Sequence, residues 1–320
     1  MTKFNALVTA IGSFSALETI TSLRKIREFE KIIGCDIYPC EWHNITKYFD
    51  NVLLAPKVKD EQKYLEFIID LCEQFKIDII IPLTDIEVDF FNKHRAIFYN
   101  RNIIVTIGNP NFLSVARNKS NLNNYSEKIE GISPIPSYLQ HDLSEKSIYP
   151  LIAKPISGRS SEGIYILNSI ADIKEESNKD TYIFQEIIDG RICTVDYVRS
   201  SKFDNDFCIP RWEHLRTKNG AGMTVEIFQS QSIERIASAI GRDLDINGCV
   251  NMEFIVNDNG IYLIDLNPRF SAGIGFSKLT GYNFIESHIN CFIDKDILPR
   301  IEYKNFIAEK VMSEVINIQL

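Results

Sequence analysis

Through its first 108 residues the chain alternates short apolar runs with segments of helical spacing, and this alternation restricts the fold more than any other feature. Residues 5–11 alternate and then run apolar into Gly12, while 15–29 carry leucines and isoleucines at helical spacing, which predicts strand, turn and helix. The unit recurs as a strand over 34–38, a helix over 62–75 on the spacing of Leu65, Ile68, Ile69 and Cys72, and a buried strand over 78–82. A helix over 86–97 and a strand over 103–107 complete the series. Strands alternating with helices predict a parallel sheet covered on both faces. The first turn, Ala10-Ile-Gly12-Ser-Phe-Ser15, has one glycine where a dinucleotide fingerprint has three, so NAD is not expected.

Beyond Gly108-Asn-Pro110 the grammar changes. A helical stretch over 112–129 and the linker Gly131-Ile-Ser-Pro-Ile-Pro136 lead into short strands over 151–154, 164–167, 182–185, 194–198, 250–256 and 261–266. Helices are expected near 169–176 and over 233–242. The fold class is therefore α/β followed by α+β, with the change at 108–112, and 320 residues suffice for two domains without disulfide or metal staples. With 35 basic against 43 acidic side chains the charge is −8, which lacks the basic footprint of nucleic-acid binding. The longest apolar runs, such as 77–83 with Asp78 inside it, fall short of the roughly 20 residues that span a bilayer. No signal-peptide core precedes the first strand-like segment. Seven scattered cysteines (35, 40, 72, 193, 208, 249, 291) without a C-x-x-C pair read as reduced thiols, and the expected location is cytoplasmic. Cys35 and Cys40 would need two further soft ligands to hold a metal, and the five histidines do not cluster with them.

Two segments carry chemistry. In Lys154-Pro-Ile-Ser157-Gly158-Arg-Ser160-Ser161-Glu-Gly163-Ile a strand ends in a lysine followed by a loop of glycines and serines. Glycines let backbone N–H groups converge on phosphate oxygens, serines add donors, and the lysine supplies a point charge. It is no Walker loop, because Ile164 follows Gly163 where that loop has a lysine and opens a helix; the plain alternative is a hairpin turn with an exposed lysine. In Gly248-Cys-Val-Asn-Met-Glu253 through Asn259-Gly260 to Asp265-Leu-Asn267-Pro-Arg269, two strands form a hairpin. Residues at every second position share a face, so Asp265, Asn267 and Arg269 align, with Glu253 on the partner strand. Two carboxylates and an amide oxygen suit Mg²⁺; the plain alternative is a polar outer face.

The ordered set of Lys154-Pro with its Gly/Ser loop, Gln185-Glu-Ile-Ile-Asp-Gly190, and Glu253 with Asp265-Leu-Asn267-Pro-Arg269 resembles the ATP-grasp superfamily. Within it the likeness is to proteins similar to the carbamoyl-phosphate synthase large subunit and to biotin carboxylase, and it extends over nearly the whole chain. The resemblance implies a pre-ATP-grasp domain over 1–110 and an ATP-grasp domain over 111–320, with a mobile nucleotide-covering part over about 112–185. It implies ATP and one or two Mg²⁺ ions, with Mn²⁺ as a substitute. Lys119 and Lys154 resemble the lysines that hold the ATP phosphates, and the loop with Ser157, Gly158, Ser160, Ser161 and Gly163 resembles the flap that closes over them. Gln185, Glu186, Ile187 and Ile188 match the segment that reads the adenine edge. Glu253, Asp265 and Asn267 resemble the metal ligands, and Arg269 the cation that meets the transferring phosphoryl group. Arg211 and Arg216 resemble arginines facing the γ-phosphate and acceptor, though each could equally be a solvated surface charge.

Two departures stand out. Ile192 falls where a glutamate commonly binds the ribose, leaving Asp189 as a substitute, and Asp265 replaces the usual glutamate. The implied reaction is ATP-dependent activation of a small-molecule carboxylate as an acyl phosphate and its capture by an amine. A phosphotransferase that stops at a phosphorylated product and a non-catalytic nucleotide-binding protein are the alternatives. The acceptor pocket is expected between the domains near Asp85 or Glu87, which are as well explained as first-turn acids complementing a helix dipole. Expected partners are the carboxylate and amine, with neither nucleic acid nor membrane; a homodimer is left open.

Overall fold

The computed structural model describes residues 3–158, 162–174 and 181–315. The first unit runs β1 (Phe4–Thr9), α1 (Ala16–Leu23), β2 (Phe29–Asp36), β3 (Asn51–Leu54), α2 (Glu61–Phe75), β4 (Ile79–Ile81), α3 (Asp85–Lys93), α4 (Arg95–Tyr99) and β5 (Ile104–Val105). Its strands make a parallel sheet of order β3-β2-β1-β4-β5. Ile79, Ile80 and Ile81 are wholly buried, as a strand covered on both faces must be. The expected helix 86–97 is two helices, and 15–29 contains only α1 before Phe29 opens β2. Glu30 and Lys31, exposed at the start of β2, hide the strand from a hydrophobic pattern.

Next come α5 (Pro110–Ala116) and α6 (Lys119–Ser126), where one helix over 112–129 was expected. Asn118 ends that continuity because its side chain accepts from the backbone N–H of Asn121 and caps α6. Strands β6 (Ser137–Tyr138), β7 (Leu151–Pro155), β8 (Tyr165–Leu167) and β9 (Tyr182–Glu186) form a four-stranded layer of order β6-β9-β7-β8. The helix expected near 169–176 is a short turn over Ile170–Asp172, its last two residues lying outside the described ones.

The third sheet is built from β10 (Arg191–Ser200), β11 (Asn205–Arg216), β12 (Gly222–Ile227), β13 (Gly248–Asn257), β14 (Gly260–Asn267) and β15 (Phe306–Glu309), in the order β14-β13-β10-β11-β12-β15. Helix α7 (Gln231–Asp243) packs on β10 and β11, while α8 (Ile274–Lys278) lies by β12 and α9 (Phe284–Phe292) by β10 and β13. One core joins Leu7, Phe91 and Phe112 to Tyr197, Met252 and Phe254, and another joins Val8 and Ile20 to Ile209 and Ile289, so the first and third sheets share their interiors. The four-stranded layer keeps a separate small core of Leu143, Leu151, Ala153, Leu167, Tyr182 and Phe184. Helices α5 and α6, inside the part expected over 112–185, pack against β14. No helix among the described residues is long and apolar enough to cross a membrane. All seven cysteines are free, five of them buried.

Candidate active site

Lys154, near the end of β7, points its Nζ at Gln185 Oε1 on β9, 2.9 Å away. Gln185 is fixed in turn, donating to Asn123 Oδ1 at 3.1 Å and Ser137 Oγ at 2.9 Å. Burial and the neighbouring Lys119 push the Lys154 ammonium down to about 8, with Asp265 opposing them. Lys119 opens α6, is tied to the end of β7 by a 2.8 Å bond from its backbone N–H to Ile156 O, and reaches Asp265 Oδ1 at 3.3 Å. Burial alone would raise the Asp265 pKa, but Lys119, Arg269 and Lys154 hold it below its ordinary value. Asp265 faces Glu253 across the β13–β14 register. Glu253 is raised by burial, with Asp265 and Glu213 adding to the shift and Arg216, 2.8 Å from its Oε2, opposing it.

Asn267 lies two register pairs away and donates its Nδ2 to Asn251 Oδ1 at 3.2 Å, which does not use its own amide oxygen. Among the described residues no three histidine, cysteine, aspartate or glutamate side chains converge as a metal cage. Two carboxylates and an amide, the carboxylates now facing Lys119 and Arg216, fit Mg²⁺ only if other oxygens complete its shell.

Beyond Glu253 a cavity of about 380 Å³ opens between the first and third sheets. Its first-sheet wall includes Ser13, Phe14, Leu83 and Asp85, and its third-sheet wall includes Thr194, Arg211, Glu213, Arg216, Asn251 and Arg269. Arg269 follows β14 and gives Nε and Nη2 to the same oxygen of Asp85, at 3.0 and 2.8 Å. Arg117, 3.7 Å from the other Asp85 oxygen, is held by a fork onto Asp89. Glu87 is buried against Tyr64 and Thr84 and does not line this cavity.

Arg211, 1% exposed, donates to Asp196 at 2.6 Å, Glu213 at 3.1 Å and Ser271 at 3.1 Å. Burial works to lower its pKa, but the two acids outweigh burial and raise it. It is therefore a buried cation on the cavity wall and no solvated surface charge. Arg216 bonds both Glu253 and Gly220 O, linking the turn after β11 to the carboxylate pair.

Among the other expected residues, Ser157 and Gly158 follow β7, and Gly163 has φ +73° with Pro155 and Tyr182 where a side chain would go. Ser160 and Ser161 lie outside the described residues. Glu186 takes a 3.4 Å bond from Tyr138 at the end of β9, and beyond it Ile187 is exposed and Ile188 half-buried. Ile192 is half-buried on β10, and the Asp189 carbonyl accepts from Asn257. Sequence reasoning missed Thr194, Asp196, Glu213, Asn251 and Ser271. The signal for Asp196 was its charge inside the uncharged, mostly apolar run 193–198.

Residues 117–273 match the ATP-grasp domain family, and residues 13–106 match the PylC-like N-terminal domain. The chain carries an ATP-grasp domain behind a PylC-like one. The carbamoyl phosphate synthase large chain of Caldanaerobacter subterraneus subsp. tengcongensis is 27% identical over 181 residues, covering 51% of this chain and 16% of its own length. A biotin carboxylase from Campylobacter jejuni in complex with a β,γ-ATP ligand superposes with a TM-score of 0.75 at 19% identity, over 93% of this chain and 72% of that one. The Hydrogenobacter thermophilus 2-oxoglutarate carboxylase biotin carboxylase domain, in complex with MgADP, ADP and bicarbonate, gives 0.75 at 15% identity over 93% and 71%. An L-amino acid ligase from Bacillus licheniformis gives 0.68 at 15% identity, over 90% and 74%. These likenesses show the biotin-carboxylase arrangement of a parallel-sheet domain followed by an ATP-grasp fold.

Proposed function

We propose that the chain is an ATP- and Mg²⁺-dependent ligase that activates a small-molecule carboxylate and joins it to an amine. The observation that carries this reading is a continuous line of charge: Lys154 and Lys119, then Asp265 and Glu253, then Arg216, ending in a cavity walled by Arg211 and Arg269. The fold's likeness to an MgADP complex supports placing the nucleotide between the four-stranded layer and β14. Lys154 and Lys119 would bind phosphates, while Glu253, Asp265 and Asn267 would hold Mg²⁺. The metal would offset charge on the transferring phosphoryl group.

Lys119 and Arg216 would exchange their carboxylate partners for phosphate oxygens as the cation arrives. Arg269 is already oriented by Asp85, so little reorganisation remains when charge develops next to it. The cavity lies between two sheets and opens to solvent, so bound substrates would have to complete the shielding of an acyl phosphate from water. The match to a carbamoyl phosphate synthase chain supports a second reading, in which the phosphorylated product itself is released. ADP release measured across a panel of carboxylates, with and without amines, tests both. Release that needs carboxylate and amine together supports the ligase, and release with carboxylate alone supports the phosphotransferase.

A further inference from the structure

Three residues of the third-sheet wall each bury a polar atom with no hydrogen-bond partner among the described residues: Thr194 Oγ1, Glu213 Oε2 and Asn251 Nδ2. Buried unpartnered atoms are few in a folded protein, because each forfeits its hydration without a replacement bond. Three on one cavity wall mark a place where a ligand's polar groups belong. The strand register puts them together: Thr194 lies opposite Arg211 on one side and Glu253 on the other, and Glu213 is two residues along β11 from Arg211, on the same face.

The charge of the Arg211 cluster on this wall points to a cation. Arg211 is shared by Asp196 and Glu213, whose side chains are 0% and 2% exposed, so this buried triad holds two carboxylates to one guanidinium. Among the described residues each acid leaves one oxygen without a partner, Asp196 Oδ1 and Glu213 Oε2, and of the two acids only Glu213 lines the cavity. Lys310 also feels Glu213, but its Nζ goes to the Ala272 carbonyl and lies over the Phe14 ring. Glycines keep the pair uncovered, since a Cβ at Gly222 would stand 2.1 Å from Glu213 Oε2 and one at Gly273 2.9 Å from Arg211 Nη2. Both glycines line the cavity.

We infer that Glu213 and Thr194 form the subsite for the amine co-substrate, taking it as a primary ammonium whose N–H groups Glu213 Oε2 and Thr194 Oγ1 accept. The assignment rests on the ligase reading. Cross-strand neighbours lie about 5 Å apart, so an amine held at Thr194 sits beside Glu253, where the activated carboxylate would form. Asn251 Nδ2, a donor, is left for an oxygen of that carboxylate.

The test uses the full chain, MgATP, the carboxylate that gives most ADP, and a panel of the twenty standard L-amino acids with putrescine and spermidine as amines. For the amine that stimulates wild type most, Glu213→Gln should raise its KM at least 30-fold and Thr194→Val about 5-fold, while KM for ATP changes less than 2-fold. Because Thr194→Val removes an unpartnered buried hydroxyl, its melting temperature should not fall, which keeps that arm readable if Glu213→Gln misfolds. If no amine stimulates wild type, the ligase reading fails and this inference with it. If an amine does, and its KM is unchanged in the folded variants, the inference alone fails.

Discussion

The four-stranded layer and the joined first and third sheets bury their side chains on different scales. The layer closes over six buried residues of its own, whereas the other two sheets run into each other through two extended cores. Lys154 and Gln185 sit on the layer, while Glu253, Asp265, Arg211 and Arg269 sit on or beside the third sheet. The contrast teaches that Lys154 and the Glu253–Asp265 pair belong to separately packed bodies. The two bodies meet through α6, where Lys119 donates its backbone N–H to Ile156 O and its Nζ to Asp265, and Asn123 accepts from Gln185. The comparison can be broken or sharpened by loosening one body at a time.

The largest effect is expected at the carboxylate pair. Asp265→Asn should lower turnover to roughly one-thousandth or less while the melting curve stays that of a folded protein, because Asp265 belongs to neither extended core. Steady-state ADP release and a thermal melt check the two halves. Arg269→Ala should come next, lowering kcat about 10²- to 10³-fold with little change in KM for ATP, since its charge is used as the phosphoryl group moves.

Lys154→Ala should weaken ATP binding about 10- to 100-fold, the worth of one or two charge-assisted hydrogen bonds, with a smaller change in kcat. Its pH dependence gives a finer test. Lys154 loses its proton near pH 8 in the free protein, and bound phosphate favours the protonated form, so ATP affinity should be flat below that pH and fall as it is exceeded. Calorimetry from pH 6.5 to 9.5 should show proton uptake in wild type above pH 8 and none in Lys154→Arg.

Packing variants separate the bodies directly. Phe254→Ala, in the shared core, should cost about 3–5 kcal/mol of global stability. Phe184→Ala, in the layer, should lose a similar amount locally, weakening ATP binding while the main melting transition moves less. Hydrogen exchange in β7 and β9, compared with β10 and β13, reads that difference residue by residue.

Much of this was legible in the sequence, and the reason differs by region. The first sheet declared itself because buried parallel strands such as 79–81 are apolar throughout. The pairing of Glu253 with Asp265 followed from a hairpin turn and a period of two. β11 was the hardest element to see: twelve residues long, it carries Pro210, Arg211, Glu213 and Arg216. The polar residues that build the cavity wall interrupt the apolar pattern, so β11 is missing from the strands expected from periodicity. The Asp85 clamp on Arg269 spans 184 residues and leaves no local pattern, although the cavity was expected near Asp85 from the rule that open α/β sheets bind ligands at their carboxyl ends.

The central claim is that nucleotide phosphates and the Glu253–Asp265 pair complete one another's metal site. Calorimetric titration of Mg²⁺ into the protein with and without ADP tests it most directly. The account predicts negligible Mg²⁺ affinity without nucleotide, because two carboxylates and an amide fall short of the six oxygens Mg²⁺ takes. With ADP present, Mg²⁺ should bind cooperatively in wild type and lose that coupling in Asp265→Asn. Tight Mg²⁺ binding without nucleotide, or ADP binding indifferent to Mg²⁺ and to Asp265→Asn, would contradict it.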